Sequence, residues 1–147
     1  MQRALLLDMV IQNQTTVRLA VNKITAANSH WRLNDTAASA GFIYRHMGET
    51  MNLFGLFFGI PTTVANTTMG QNDTGQGGDV DASRLLLEQG YAMLITYVEN
   101  TLDSAWLDPI DTPFFGTVSR MRLFSHILFH NSYHAGQVGL TLARAPH

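Results

Sequence analysis

Along most of this chain apolar residues recur at the spacing of a helix, not of a strand. From Arg3 to Ala27, the residues Leu6, Val10, Val17, Val21 and Ile24 fall at spacings of three, four and seven, which predicts a first helix. Ser29 to Asp35 interrupts the pattern, and Asp35 or Thr36 is the expected N-cap of a second helix. That helix runs to about Gly59, where Ile60-Pro61 stops it, because the residue before a proline is pushed out of the helical region. Residues 61–80 carry Thr, Asn, Gly and Asp with almost no large apolar side chain, which predicts a long connection. A third helix is expected from Asp81, as its cap, to about Leu102, with Leu86, Met93, Tyr97 and Leu102 facing inward. Asp108-Pro-Ile-Asp-Thr-Pro breaks it. A fourth starts near Thr117 or Ser119 and continues to about Ala143. No useful strand alternation, repeat or Gly-rich phosphate loop is found. The expectation is an all-α protein, a four-helix bundle forming a single domain over residues 1–147, with a long crossover between helices two and three instead of simple up-down-up-down order.

Composition narrows the possibilities. Hydrophobic residues make up 46% of the 147 positions, which argues against overall disorder, but charged residues make up only 14%, against a usual ~25%. A poorly charged exterior favours association, so a homodimer is expected. Nine basic residues, Lys23 the single lysine among them, are scattered and the net charge is −2, so no nucleic-acid footprint and no basic membrane helix is present. The absence of cysteine excludes disulfides, thiolate metal sites and a Cys nucleophile. The apolar run from Ala4 to Leu7 ends at Asp8, too short for a signal segment, and Leu53 to Ile60 falls well below the ~20 residues that span a bilayer. A soluble, cytoplasmic protein is the expectation. The string from Asp73 to Asp81 lacks the spacing and closing Glu of a calcium loop.

Chemistry concentrates in the histidines. His126, His130 and His134 stand at i, i+4 and i+8 of the fourth helix. Residues four apart are offset by about 40° and about 6 Å of rise, so two neighbours of the run can grip one ion. All three cannot, because His126 and His134 stand about 12 Å apart along the axis. A competent site takes one pair from this helix and a third ligand from elsewhere, and His46 is the best candidate. It lies within about 40° of Phe42, Leu53, Phe57 and Ile60 on the second helix's apolar stripe, where an imidazole needs a partner to offset its desolvation. A histidine bonded to a backbone carbonyl is the bland alternative. Glu49, three positions on, can be a fourth ligand, a hydrogen-bond partner orienting an imidazole, a general base, or a solvated acid at the bundle's edge. Gln137 is a candidate partner for an imidazole. His30 and His147 are expected in solvent. On the far side of the fourth helix, Ser125, Ser132, Ala135, Gly136, Gly139 and Ala143 form a strip of small residues suited to close packing, within the bundle or between subunits. Ferritin-like di-iron sites are excluded, because no Glu-xx-His occurs.

The string His126-xxx-His130-xxx-His134-Ala-Gly-Gln137, together with Tyr44-Arg-His46-Met-Gly-Glu49 after Trp31-Arg32, resembles the DinB-like family of metal-binding four-helix bundles over most of the chain. The resemblance implies that His46, His130 and His134 hold one divalent ion, zinc or nickel foremost, in a bundle of crossover topology that commonly forms homodimers. Ala135 stands where the family usually has arginine, and Phe129 where it has asparagine. Some members look like transferases that couple bacillithiol, mycothiol or another small thiol to an electrophile. Three readings follow. One is a metal-dependent enzyme of the thiol S-transferase type, or a hydrolase, acting on a small-molecule substrate with Glu49 orienting or deprotonating and glutathione as a further candidate thiol. The second is a stress-related dimer that binds metal or ligand without turnover. The third is a purely structural bundle. Neutral imidazoles are required for binding, so metal occupancy is expected to fall as pH drops through about 6–6.5.

Overall fold

The computed structural model describes residues 2–146. Four helices carry the architecture: α1 (Gln2–Val21), α2 (Ala40–Phe54), α3 (Val80–Asn100) and α4 (Arg120–Arg144). Side-chain pairings settle their order. Arg18 pairs with Glu88 and Asn13 with Tyr91, so α1 and α3 run antiparallel. Gly48 lies against Leu87 and Gly90 against Met51, so α2 and α3 run parallel. Phe54 stacks on His126 while His46 meets His130, so α2 and α4 are antiparallel. Asn13 Nδ2 donates to the Leu128 carbonyl at 2.8 Å, tying α1 to α4. Successive helices therefore point up, down, down and up, and two parallel neighbours need the long 61–79 connection to return the chain to its starting level. The core they enclose includes Val10, Val17, Met47, Met51, Leu94, Val98, Leu123, Phe124 and Val138, with Trp106 plugging one end.

Several boundaries differ from the sequence expectation, each for a local polar reason. The first helix ends at Val21 because the Asn28 side chain accepts from Thr25 N and donates to the Lys23 carbonyl, folding the chain into a turn that still buries Ile24. The second begins at Ser39, whose hydroxyl caps Phe42 N, and neither Asp35 nor Thr36 caps it. Asn34 takes the Thr36 and Ala37 amides into a turn instead. Beyond Phe54 the helix tightens to a 3₁₀ turn, Gly55–Phe58, and stops at left-handed Gly59. Asp79, not Asp81, caps α3, while Asp81 pairs with Arg84 in its first turn. The inner face of α3 is set by Ser83, Leu87, Tyr91, Leu94, Val98 and, as expected, Tyr97, whereas Leu86 and Met93 are half-buried and Leu102 is 68% exposed. A short hairpin, β1 (Pro109–Thr112) and β2 (Gly116–Ser119), precedes α4 where no strand was expected. Among the described residues no helix is long and apolar enough to cross a membrane.

The crossover is not slack. Asp73 Oδ2 accepts from the Ser39 amide at 2.7 Å and from Arg32 at 3.0 Å, which accounts for this acid without calcium. Four residues later, Gly77 presses on the first turn of α2. A Cβ on Gly77 would stand 2.0 Å from the Gly41 carbonyl carbon. Backbone meeting backbone cannot give way, unlike the tip of a flexible side chain. Gly77→Ala should therefore destabilise by about 3 kcal/mol or more, above the usual 1–3 kcal/mol of an overpacked core. Gly78→Ala, with open space around the new methyl group, should stay within about 0.5 kcal/mol of the parent. Urea unfolding of the two variants checks this.

Candidate metal centre

The α2 and α4 stripes that carry the histidines face each other across the bundle. His46 Nε2 and His134 Nε2 each lie 3.1 Å from His130 Nε2, and the three ligand atoms fall within 4.8 Å of one another. Zinc–nitrogen bonds of about 2.0–2.1 Å at a tetrahedral angle separate two ligating nitrogens by about 3.3 Å, so the spacing fits one ion. Among the described residues, this trio is the cluster able to hold a metal, and His126 is not part of it. The His126 ring is instead boxed by Phe54 and Phe115. His30 is exposed, as expected, and His147 lies outside the described residues.

The outer ring nitrogens decide where the protons are. Thr68 Oγ1 donates to Glu49 Oε2 at 2.8 Å, which leaves it as an acceptor for His46 Nδ1 at 3.3 Å. Gln137 Oε1 accepts from His134 Nδ1 at 2.6 Å. Both rings thus carry their proton on Nδ1 and direct an Nε2 lone pair at His130. A neutral His130 has one proton to offer, so at least one close nitrogen pair would face lone pair to lone pair. A cation between the rings relieves that conflict. The unpartnered, buried Nδ1 of His130 suits the same role, since placing the proton there frees the third Nε2.

Burial keeps all three rings neutral. Desolvation, reinforced by the neighbouring His134 and opposed by Glu49, lowers the pKa of His46 to about 4. Desolvation and the surrounding imidazoles lower that of His130 to about 3, and desolvation lowers that of His134. The folded protein therefore resists protonation well below the pH 6–6.5 window expected for free imidazoles, and proton competition with a metal moves downward accordingly.

Glu49 is no solvated acid: it is fully buried. Its carboxylate accepts from Arg45 Nε at 2.7 Å, Thr67 Oγ1 at 2.6 Å, Thr67 N at 2.8 Å and Thr68 Oγ1. Burial alone would raise its pKa, but the hydrogen bonds from Thr67, Thr68 and Arg45 outweigh it and hold the group below the ordinary carboxylate range. Its link to the trio runs through Thr68 to His46. The sequence reading did not single out Thr67, Thr68 or Arg45. Of these, Arg45 alone carries a sequence signal, its i,i+4 spacing to Glu49.

A cavity of about 490 Å³ opens beside the trio, with His46 and His134 in its wall. Ala135 is buried in the core, and Phe129, 69% exposed, lines a groove between α1 and α4. Neither of these departures displaces a histidine of the cluster.

Fold and histidine geometry together define a helical bundle built around a three-imidazole cluster able to hold one metal ion. The sequence model of the DinB superfamily matches residues 9–138, and the chain belongs to that superfamily. No curated protein matches it.

In the metal-free protein, unfolding exposes imidazoles that protonate near 6.5, whereas the folded state holds His46 and His130 neutral to about 4 and about 3. The unfolded chain therefore binds more protons across that interval. Stability should be complete above pH 6.5 and fall steadily as the pH drops toward 4. Urea midpoints across this range should show the slope, and His130→Phe should flatten it.

Proposed function

We propose that the protein is a divalent-metal-binding enzyme of the small-thiol S-transferase type, with His46, His130 and His134 as ligands of one zinc or nickel ion. The observation that supports this reading is the convergence of three Nε2 atoms whose outer nitrogens are set to carry the protons. Three imidazoles leave a coordination position for a substrate, the pattern of catalytic sites as opposed to structural ones. The ion, when bound, would lower the pKa of a thiol or water near it and so supply the nucleophile that a cysteine-free chain lacks. In S-transfer the thiol loses its proton, a carbon–sulfur bond forms, and the acceptor's leaving group departs with its electron pair.

Within that reading Glu49 is a positioning residue. Its four accepted hydrogen bonds occupy both oxygens, and it acts by holding Thr68 so that His46 keeps its proton on Nδ1. The same saturation favours a second reading, a metal- or ligand-binding protein without turnover, since it leaves Glu49 no lone pair for a substrate proton. We also propose a homodimer. The α4 strip supports it: Ser132, Gly136 and Ala143 are exposed, and nothing in the bundle stands within 4 Å of where a Cβ on Gly136 or Gly139 would lie.

His130→Ala and His134→Ala should abolish metal binding, His46→Ala should weaken it at least tenfold, and His126→Ala should do less. Thr68→Val should cost about 10–100-fold in affinity, the usual effect of losing a group that orients a ligand. Glu49→Gln, which loosens the hold on Thr68, should lower metal affinity in the same direction as Thr68→Val and by a smaller factor. Metal analysis of untagged protein reads each case. Bacillithiol, mycothiol or glutathione added to the cobalt form should raise a sulfur-to-metal charge-transfer band. If no thiol perturbs the spectrum, the non-catalytic reading replaces the transferase. Sedimentation at micromolar concentration should give a dimer, and a clean monomer removes that part of the proposal.

A further inference from the structure

The cavity beside the trio has walls of an unusual kind for a site meant to take a polar thiol. Leu33, Phe42, Ile43 and Leu140 form much of its surface, and no Asp, Glu, Lys or Arg lines it. Its volume of about 490 Å³ lies inside the range of about 300–1,000 Å³ typical of small-molecule sites. Of its polar groups, Thr68 is bonded to Glu49 and His46 and the Gln137 oxygen to His134, which leaves the Gln137 amide and the Thr141 hydroxyl as uncharged polar groups in the wall. A cation, Arg32, stands in an adjoining hollow that shares Ala37, Ala38 and Phe42 as walls. It is already paired with Asp73 at 3.0 Å. A carboxylate or sulfonate entering the cavity would shed water without gaining a free cation, which is costly. At the rim, Leu33 and Leu140 are 36% and 53% exposed, apolar surface that a hydrocarbon ligand would cover.

We propose that this cavity binds an uncharged molecule with a hydrocarbon body, held by Leu33, Phe42, Ile43 and Leu140 with its functional end toward His46 and His134. The inference deepens the metal-centre reading and rests on it only for which end of the ligand faces the imidazoles. The sugar or peptide body of a small thiol finds no charged group and few polar ones inside, so the cavity belongs to the acceptor molecule, and the polar thiol approaches from outside it.

The test uses 2-naphthalenemethanol and naphthalene-2-sulfonate as matched probes, titrated by fluorescence into the metal-free and the cobalt-loaded protein. The neutral probe should bind at least tenfold more tightly than the sulfonate to both forms. Leu33→Asp and Leu140→Asp should each weaken the neutral probe at least tenfold, whereas Leu19→Asp, on exposed α1 surface, should not change it. Circular dichroism verifies folding, and Leu140→Gln, of similar bulk, serves if the Asp variant unfolds. Equal or tighter binding of the sulfonate, no binding of the neutral probe, or indifference to Leu33 and Leu140 would overturn the proposal. Cobalt uptake is followed in parallel by its visible absorption. Neutral-probe binding without cobalt uptake removes the metal centre alone, and cobalt uptake without neutral-probe binding removes the cavity proposal alone.

Discussion

A fully buried carboxylate must be compensated, and in this protein the compensation of Glu49 organises everything near the site. An ionised acid taken out of water is tolerable only when its oxygens are hydrogen-bonded and its charge is countered. Arg45, one helical turn earlier, supplies the charge, and the rest comes from Thr67 and Thr68 in the crossover. Satisfying Glu49 therefore docks the crossover on α2. The same Thr68 that completes the carboxylate's shell then sets the tautomer of His46. Charge burial, chain path and imidazole orientation are one linked arrangement.

The parallel run of α2 and α3 makes that linkage possible. Had consecutive helices been antiparallel, a short turn would have joined them at one end and no segment would have passed the level of His46. The return path from Gly59 to Asp79 brings backbone amides and threonine hydroxyls to the middle of the bundle, where they complete the shell of Glu49 that Arg45 alone leaves open. Topology thus supplies polar partners that two facing helices do not provide.

How much of this was legible in the sequence depends on the range of the interaction. The four helices and the crossover were readable because apolar periodicity is a local pattern, and the His130–His134 pair because i,i+4 spacing is fixed by the helix itself. His46 was readable from its place on an apolar stripe. Helix starts were misplaced where several capping residues compete within a few positions: Asp35, Thr36 and Ser39 are all competent, and the choice fell to Ser39 because Asn34 had folded the preceding residues into a turn and Asp73 had fixed the Ser39 amide. The hairpin before α4 was missed because four-residue strands are too short to show alternation. Glu49's burial was invisible for a different reason: apart from Arg45, its partners Thr67 and Thr68 lie about twenty residues away in a loop whose composition reads as solvent-exposed.

The contact between Gly41 and Gly77 has a bearing on how such a chain can be altered. Crossovers rich in Thr, Asn and Gly are the usual places to insert tags, reporter domains or new termini. This one is pinned at Thr67 and Thr68, again at Asp73, and finally where two peptide backbones touch without room for a methyl group. Each pin fixes the length of chain between it and the next, so added residues can be absorbed only by bulging outward between pins. By that measure the most glycine-rich stretch of the protein is among its least editable.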